Sequence, residues 1–323
     1  MIEKKKVRFF SRMGARGTFG QAVLDMAPIR TDFFAISADL GHASGLKKFE
    51  ETYPDRYVNV GIAEQDLIGI AAGLAKDGSP VIATSYAPFS SLRCADQVKN
   101  YMGYMGLNVK LVGLDSGMIQ AKFGSSHYGI EDIALMRSIP NIKILSPADG
   151  VEIYQATQEA IACDGPVYIR LTGGQTLPMI YDETYTDYQI GKAVQLREGS
   201  DVTIIATGTI VNSALKVADM LEKENIKVAV IDMHTVKPLD KAILQNILRS
   251  ELIVTMEEHT IYGGLGSAIA EYLIGQKVKP VQLILGVQDF YPHPGSYEYL
   301  LELCELTPDA MYKSILRKLT EIR

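Results

Sequence analysis

The chain has 323 residues, 47% of them hydrophobic, which is enough to bury the cores of about two domains. Its net charge of −6 argues against a general nucleic-acid binder. No run approaches the roughly 18 apolar residues that a membrane span needs.

Residues 1–8 are basic but no apolar stretch follows, so they are not a signal peptide, and Lys4-Lys5-Lys6 reads as a solvated tail. A helix is expected over 17–27 and a buried strand over 33–37. An apolar approach then ends at Asn59 and Gly61. The helix over 64–76 carries two acids in its first turn, Glu64 and Asp66. Only small and apolar residues follow, from Leu67 to Leu74, so this helix is expected to be buried nearly all round. Strands over 81–84, 109–113, 142–145 and 166–170 alternate with helices over 92–102, 129–137 and 150–161. Short continuous apolar strands alternating with helices predict a parallel sheet covered on both faces.

Residues 172–193 break the pattern, with Gly173-Gly174, Pro178 and a polar, tyrosine-rich run. The fold class expected is α/β, with two doubly wound domains: 1–180, a linker at 181–194, and a smaller domain at 195–323. The second domain alternates strands over 202–206, 228–232, 252–256 and 281–285 with helices over 211–223 and 241–249, one after Gly263-Gly264-Leu265-Gly266, and one over 308–322. The three cysteines, Cys94, Cys163 and Cys304, fit neither a disulfide framework nor a zinc site. Reduced thiols in a cytoplasm and no metal site made by this chain alone are expected.

In open parallel sheets ligands sit beyond the C-terminal strand ends, so functional residues should follow strands. Glu64 reads either as a first-turn acid favoured by the helix dipole or as a desolvated carboxylate ready to share a proton with a ligand. Asp39 follows the first strand and suits a turn cap. Tyr86 and Phe89, three apart, can face one way on a turn entering a helix, as core or as a ring platform. Arg93 would point toward them or pair with Asp96. His127 stands between Ser125-Ser126 and Tyr128-Gly129, just ahead of a helix. Arg16 and Arg170, taken singly, read as ion-pair residues. Ala206-Thr-Gly-Thr is too short to count as a nucleotide loop, and His234 and His293 receive no role.

Val60-Gly-Ile-Ala-Glu-Gln65 resembles the glutamate motif of the transketolase family of thiamine-diphosphate enzymes. The similarity runs from about residue 16 to 316 and corresponds to the C-terminal half of a full-length member. It implies that Glu64 hydrogen-bonds N1′ of the cofactor's aminopyrimidine and drives formation of the thiazolium ylid. Asp39 would lie near the cofactor, with Tyr86, Phe89 and Arg93 around the pyrimidine ring. His127 would line the substrate channel and move a proton at the ketol oxygen. Arg16, Arg170 and Ser44 would hold the substrate's terminal phosphate, and Glu257-Glu-His259 would be structural or interfacial.

The departures from that family are specific. Asp115 stands where split transketolases carry a substrate-binding His, Phe123 where they carry an acid that recognises a sugar hydroxyl, and Tyr128 where Gln follows the channel His. An altered sugar preference follows, with a sulfo-sugar among the options and Lys122 as a substitute contact. No Gly-Asp-Gly, the diphosphate and Mg²⁺ motif of the N-terminal half, occurs here. The resemblance therefore implies a separate N-terminal subunit that holds Mg²⁺ and the diphosphate, in an α2β2 assembly built on a homodimer of this chain. A 1-deoxyxylulose-5-phosphate synthase-like subunit, a 2-oxo-acid dehydrogenase β-like subunit and a non-catalytic scaffold remain the alternatives.

Overall fold

The computed structural model describes residues 3–323. The first domain contributes α1 (Lys4–Met26), β1 (Phe34–Ser37), α2 (Lys47–Thr52), β2 (Tyr57–Asn59), α3 (Glu64–Lys76), β3 (Val81–Tyr86), α4 (Ala87–Ser91), α5 (Ala95–Gln97), β4 (Val109–Leu114), α6 (Asp132–Ser138), β5 (Lys143–Leu145), α7 (Gly150–Ala162) and β6 (Val167–Arg170). The second contributes β7 (Val194–Arg197), β8 (Val202–Ala206), α8 (Val211–Glu222), β9 (Val228–Asp232), β10 (Thr235–Lys237), α9 (Lys241–Asn246), β11 (Leu252–Thr260), α10 (Leu265–Ile274), β12 (Val281–Val287), α11 (Tyr297–Leu303) and α12 (Pro308–Ile322). Among the described residues no helix is long and apolar enough to cross a membrane.

The strands of the first sheet run β10-β5-β6-β4-β3-β1-β2. Every neighbouring pair is parallel except β10 with β5, so the second domain closes the edge of the first domain's sheet. β3 and β4 are buried almost throughout because both faces are covered. Phe19 and Val23 of α1 and Ile153 and Ala156 of α7 cover one face. Leu67 and Ile68 of α3, with Ile133 and Met136 of α6, cover the other. Lys110 of β4 is buried too, and its ammonium donates to the carbonyls of Cys163 (2.8 Å) and Gly165.

The second sheet runs β12-β11-β8-β9-β7, with only β7 antiparallel. Alternate strand residues pack on α8 and α12 on one side and on α9 and α10 on the other. Both domains are therefore doubly wound.

Several elements differ from expectation. The basic segment expected as a tail is the first turn of α1, with Lys4, Lys5 and Lys6 exposed on it; Met1 and Ile2 lie outside the described residues. α1 breaks at Gly14, whose φ of 70° lies in the left-handed region that glycine tolerates. α3 is not buried all round. Leu67, Ile68, Ala71, Ala72 and Ala75 are buried, but Ile62 just before it and Ile70 on it are exposed, and a Cβ at Gly69 or Gly73 would meet nothing within 4 Å. An apolar, small-residue face of α3 is left open in the single chain.

Residues 171–193 have no regular secondary structure, yet they are fastened down by acids. Asp149, the N-cap of α7, accepts from the Ile180 (2.9 Å) and Tyr181 (2.8 Å) amides. Tyr181 donates to Asp232 at the end of β9 (2.8 Å), and Tyr185 donates to Glu152 of α7 (3.3 Å). Burial pushes the Asp232 carboxyl up to about 8, and burial together with the charge of Asp232 pushes Glu152 up as well. The folded state thus keeps a proton that the unfolded chain releases near its ordinary value of 3.8. That contribution is full below the ordinary value and is lost as pH rises through about 8. Thermal unfolding followed from pH 5 to 9 should show a falling midpoint, and Asp232→Asn should flatten the fall.

Candidate active site

The order of strands in the first sheet reverses at β1, which has β2 on one side and β3 on the other. Crevices form at such switch points, outside the C-terminal strand ends. Here Ser37 ends β1, Asn59 ends β2 and Tyr86 ends β3. Asp39, at a left-handed φ of 57°, is exposed in this crevice; its amide donates to Asn59 Oδ1 (3.0 Å), which also accepts from the Gly61 amide (3.0 Å). That bonding turns the chain from β2 into the start of α3.

Glu64 is the first residue of α3 and is only 4% exposed. Its Oε2 accepts from Arg93 Nη1 at 2.7 Å, and Ser85 of β3 lies 3.4 Å from Oε1. Arg93 is 45% exposed, and its guanidinium lies 3.9 Å from the centre of the Phe89 ring. Of the two alternatives for Arg93, pairing with Asp96 does not form; the guanidinium turns toward Phe89 and bonds Glu64. A buried carboxylate thus already faces one flat, cationic N–H donor stacked on an aromatic face.

Aromatic rings continue away from Glu64. His127 lies edge-on to Phe89 (5.1 Å between ring centres) and to Tyr86 (6.3 Å), and Phe123 lies 5.2 Å on its other side. His127 closes a short 3₁₀ turn, Ser125–His127, and its Nδ1 is 3.1 Å from Ser126 Oγ. Arg16, two residues after the break in α1, lies over Tyr86 at 5.4 Å. A Cβ on Gly20 would collide with the Gly45 carbonyl, so this glycine lets the 38–46 loop settle on α1. Arg16 Nη1 thereby reaches the Ala43 carbonyl (3.2 Å). Asp115, after β4, accepts from Arg16 through both carboxylate oxygens and from Gln120. A cavity of about 350 Å³ opens there, lined by Met13, Arg16, Asp115, Ile119, Gln120 and Gln175. A larger cavity, about 930 Å³, lies elsewhere, beside Lys237 and Tyr272, and is lined by none of Glu64, Tyr86, Arg93 and His127. Among the described residues no group of three or more His, Cys, Asp or Glu is arranged to hold a metal ion.

Ion pairing and ring contacts therefore gather Glu64, Tyr86, Phe89, Arg93, Phe123 and His127, Arg16 and Asp115 join them through the Tyr86 ring, and Asp39 lies after the neighbouring strand β1. Arg170 and Ser44, expected at a phosphate, are both buried and bonded within the chain. Arg170 is fully buried; its Nε bonds Asp132 (3.0 Å), and its Nη2 donates to the Gly129 (2.9 Å) and Glu258 (2.8 Å) carbonyls. It ties β6 to α6 and β11. Ser44 is fully buried, with its hydroxyl on the Gly41 carbonyl (3.2 Å). Tyr128 is likewise a core residue that donates to the Ala121 carbonyl (2.9 Å). Phe123 and Lys122 are exposed. Glu257 caps α10 through the Leu265 (2.7 Å) and Gly266 (2.8 Å) amides. Sequence reading missed Asn59, Ser85, Gln120 and Gln175. Asn59 and Ser85 each sit at or near the C-terminal end of a strand, which was the available signal.

The profile of the transketolase pyrimidine binding domain matches residues 11–176, and that of the transketolase C-terminal domain matches residues 191–311. This chain belongs to the transketolase family. It is 39% identical over 308 residues to a 6-deoxy-6-sulfo-D-fructose transketolase subunit of Clostridium sp. (strain MSTE9), covering 95% of this chain and 94% of that one. It is 33% identical over 287 residues to one of the apulose-4-phosphate transketolase subunits of Phocaeicola vulgatus, covering 88% and 91%. Among solved structures, a split-gene transketolase described as an inactive beta4 tetramer superposes with a TM-score of 0.85 at 35% identity, covering 96% and 99%. The chain is thus a transketolase-type C-terminal subunit.

The buried position of Arg170 carries a stability consequence. Removing one partner of a buried ion pair leaves the other charge uncompensated, at about 3–5 kcal/mol. Asp132→Ala should lower the unfolding free energy in urea by about that much, whereas an alanine exchange at the exposed Lys122 should leave it within about 0.5 kcal/mol.

Proposed function

We propose that this chain is the C-terminal subunit of a thiamine-diphosphate-dependent transketolase that moves a two-carbon ketol unit from a ketose to an aldose. The observation that carries this reading is the Glu64 carboxylate, buried at the start of α3 beside Ser85 near the C-terminal end of β3 and bonded to the half-exposed Arg93. The residues present fit the cofactor's aminopyrimidine. Arg93, a flat cationic donor, already bonds Glu64 and stacks on Phe89, so the same two groups suit another flat donor once the half-exposed arginine turns outward. Bound there, thiamine diphosphate supplies the carbanion chemistry that ketol transfer requires.

This chain's own residues do the rest. Glu64 holds the proton of the ring nitrogen. Tyr86 and Phe89 wall the ring and exclude water, and Asp39 faces it from the end of β1. His127, fixed between Phe89 and Phe123, moves a proton at the ketol oxygen.

The diphosphate and Mg²⁺ belong to a separate N-terminal transketolase subunit. Two observations support this. The relatives are named as subunits, and the open apolar face of α3, with Ile62 and Ile70 exposed, suits burial by another chain. A homodimer of this chain carrying two partners, in a cytoplasmic setting that fits its three free cysteines, completes the proposal. The donor is a ketose with an anionic or polar far end; one relative is named for a sulfonated sugar and another for a phosphorylated one.

The competing scaffold reading predicts that Glu64 is dispensable. Mixed with its N-terminal partner, Mg²⁺ and cofactor, the wild-type chain should transfer ketol units, and the chain alone should not. Glu64→Gln should lower kcat by about 10²–10⁴-fold while leaving complex assembly on a sizing column unchanged. Undiminished transfer by Glu64→Gln would remove the proposal's foundation.

A further inference from the structure

We infer that Asp115 sets the charge of the substrate's far end, selecting a terminus that carries no more than one negative charge over a phosphate dianion. This inference rests on the ketol-transfer reading and adds the substrate class to it.

Asp115 follows β4 at the floor of the cavity around Arg16, and it is 5% exposed. It holds a left-handed φ of 50°, which a non-glycine residue adopts seldom and which a surrounding site must enforce. Its flanks are fastened: the Ser116 amide donates to the Leu171 carbonyl (2.9 Å) and the Ser116 hydroxyl to the Gly113 carbonyl (3.0 Å). From that fixed backbone the carboxylate takes Arg16 in a two-pronged grip, Nε to Oδ1 at 2.6 Å and Nη2 to Oδ2, and Gln120 donates to Oδ2 as well. The third arm of the guanidinium lies on the Ala43 carbonyl.

The charge count of the cavity follows. Among the described residues Arg16 is its one cation and Asp115 its one anion, while Met13, Ile119, Gln120 and Gln175 are neutral. Arg170, which would have added a second positive charge, is buried on Asp132. A dianion entering this cavity meets a guanidinium whose charge is already matched, with the matching carboxylate alongside. A sulfonate meets amide donors and the outer N–H groups of Arg16 with half of that repulsion, and a hydroxyl meets them with none.

Asparagine tolerates the left-handed region better than most residues and is close in shape to aspartate, so Asp115→Asn keeps the backbone and the Gln120 neighbour while freeing the Arg16 charge. The assembled complex with its N-terminal partner should be supplied with three matched donors: a ketose 6-phosphate, its 6-sulfonate counterpart and the unsubstituted ketose. Wild type should show a higher kcat/KM for the sulfonate or unsubstituted ketose than for the phosphate. Asp115→Asn should move the phosphate-to-sulfonate ratio toward phosphate by at least about tenfold, with the change in KM rather than kcat. A ratio that stays within twofold, or a wild-type complex that prefers phosphate, overturns the inference. Failure of the ketol-transfer reading looks different: no donor of the three is turned over and Glu64→Gln changes nothing, which overturns both.

Discussion

One buried carboxylate, held at the first turn of a helix and met by a guanidinium stacked on an aromatic ring, is the interaction on which the proposed chemistry of this chain depends. Glu64 can be buried because the rest of α3 is apolar on the side that packs against the sheet, and because Arg93 and the Ser85 hydroxyl meet its oxygens. Burial of an unmet carboxylate would be costly; burial of a met one yields an acceptor poised for a flat donor. The sheet's reversal at β1 supplies the crevice, and the Asp39–Asn59–Gly61 bonds aim the chain into it. Strand order, turn and helix thus converge on the position of one oxygen atom.

The fold was legible where the pattern was local. Apolar runs such as residues 81–84 and 202–206 carry no alternation, and both are central parallel strands. β10 was invisible because Thr235-Val-Lys237 is too short to show a period and gains its partner, β5, from the other domain. β7 was hidden for a related reason: a partly exposed edge strand has no apolar run. The openness of one face of α3 was also beyond reach, since Gly69, Ile70 and Gly73 read as core unless one knows which neighbour is missing. The site divides along the same line. The family resemblance put Glu64, Phe89, Arg93 and His127 in one region, and side-chain geometry brings them together. Spacing could not tell that Arg170 points inward to Asp132 or that Ser44 bonds its own loop, because both depend on three-dimensional partners distant in the chain or on the loop's path.

The interior carries charge where the two domains meet. Arg170 bonds Asp132 and reaches the Glu258 carbonyl of β11, and Glu258 itself accepts from the Met118 amide and from the Tyr297 hydroxyl (2.6 Å). On the other side Asp149, Glu152 and Asp232 gather the tyrosines of the connecting segment. These groups hold the second domain against the first with directional bonds. The same organisation buries Arg170 on Asp132 and leaves Arg16, bonded to Asp115, as the cation that lines the neighbouring cavity among the described residues; the proposed selection by charge rests on that pairing.

The central claim concerns a proton at a carbon that Glu64 never touches, controlled through the nitrogen that it does. Exchange of the thiazolium C2 proton of bound thiamine diphosphate for deuterium, followed by quenched flow and proton NMR on the complex of this chain with its N-terminal partner, reads that control directly. The account predicts exchange far faster than for the free cofactor in the wild-type complex and a return toward the free rate in the Glu64→Gln complex with the cofactor still bound. Exchange equally fast in both complexes would contradict it.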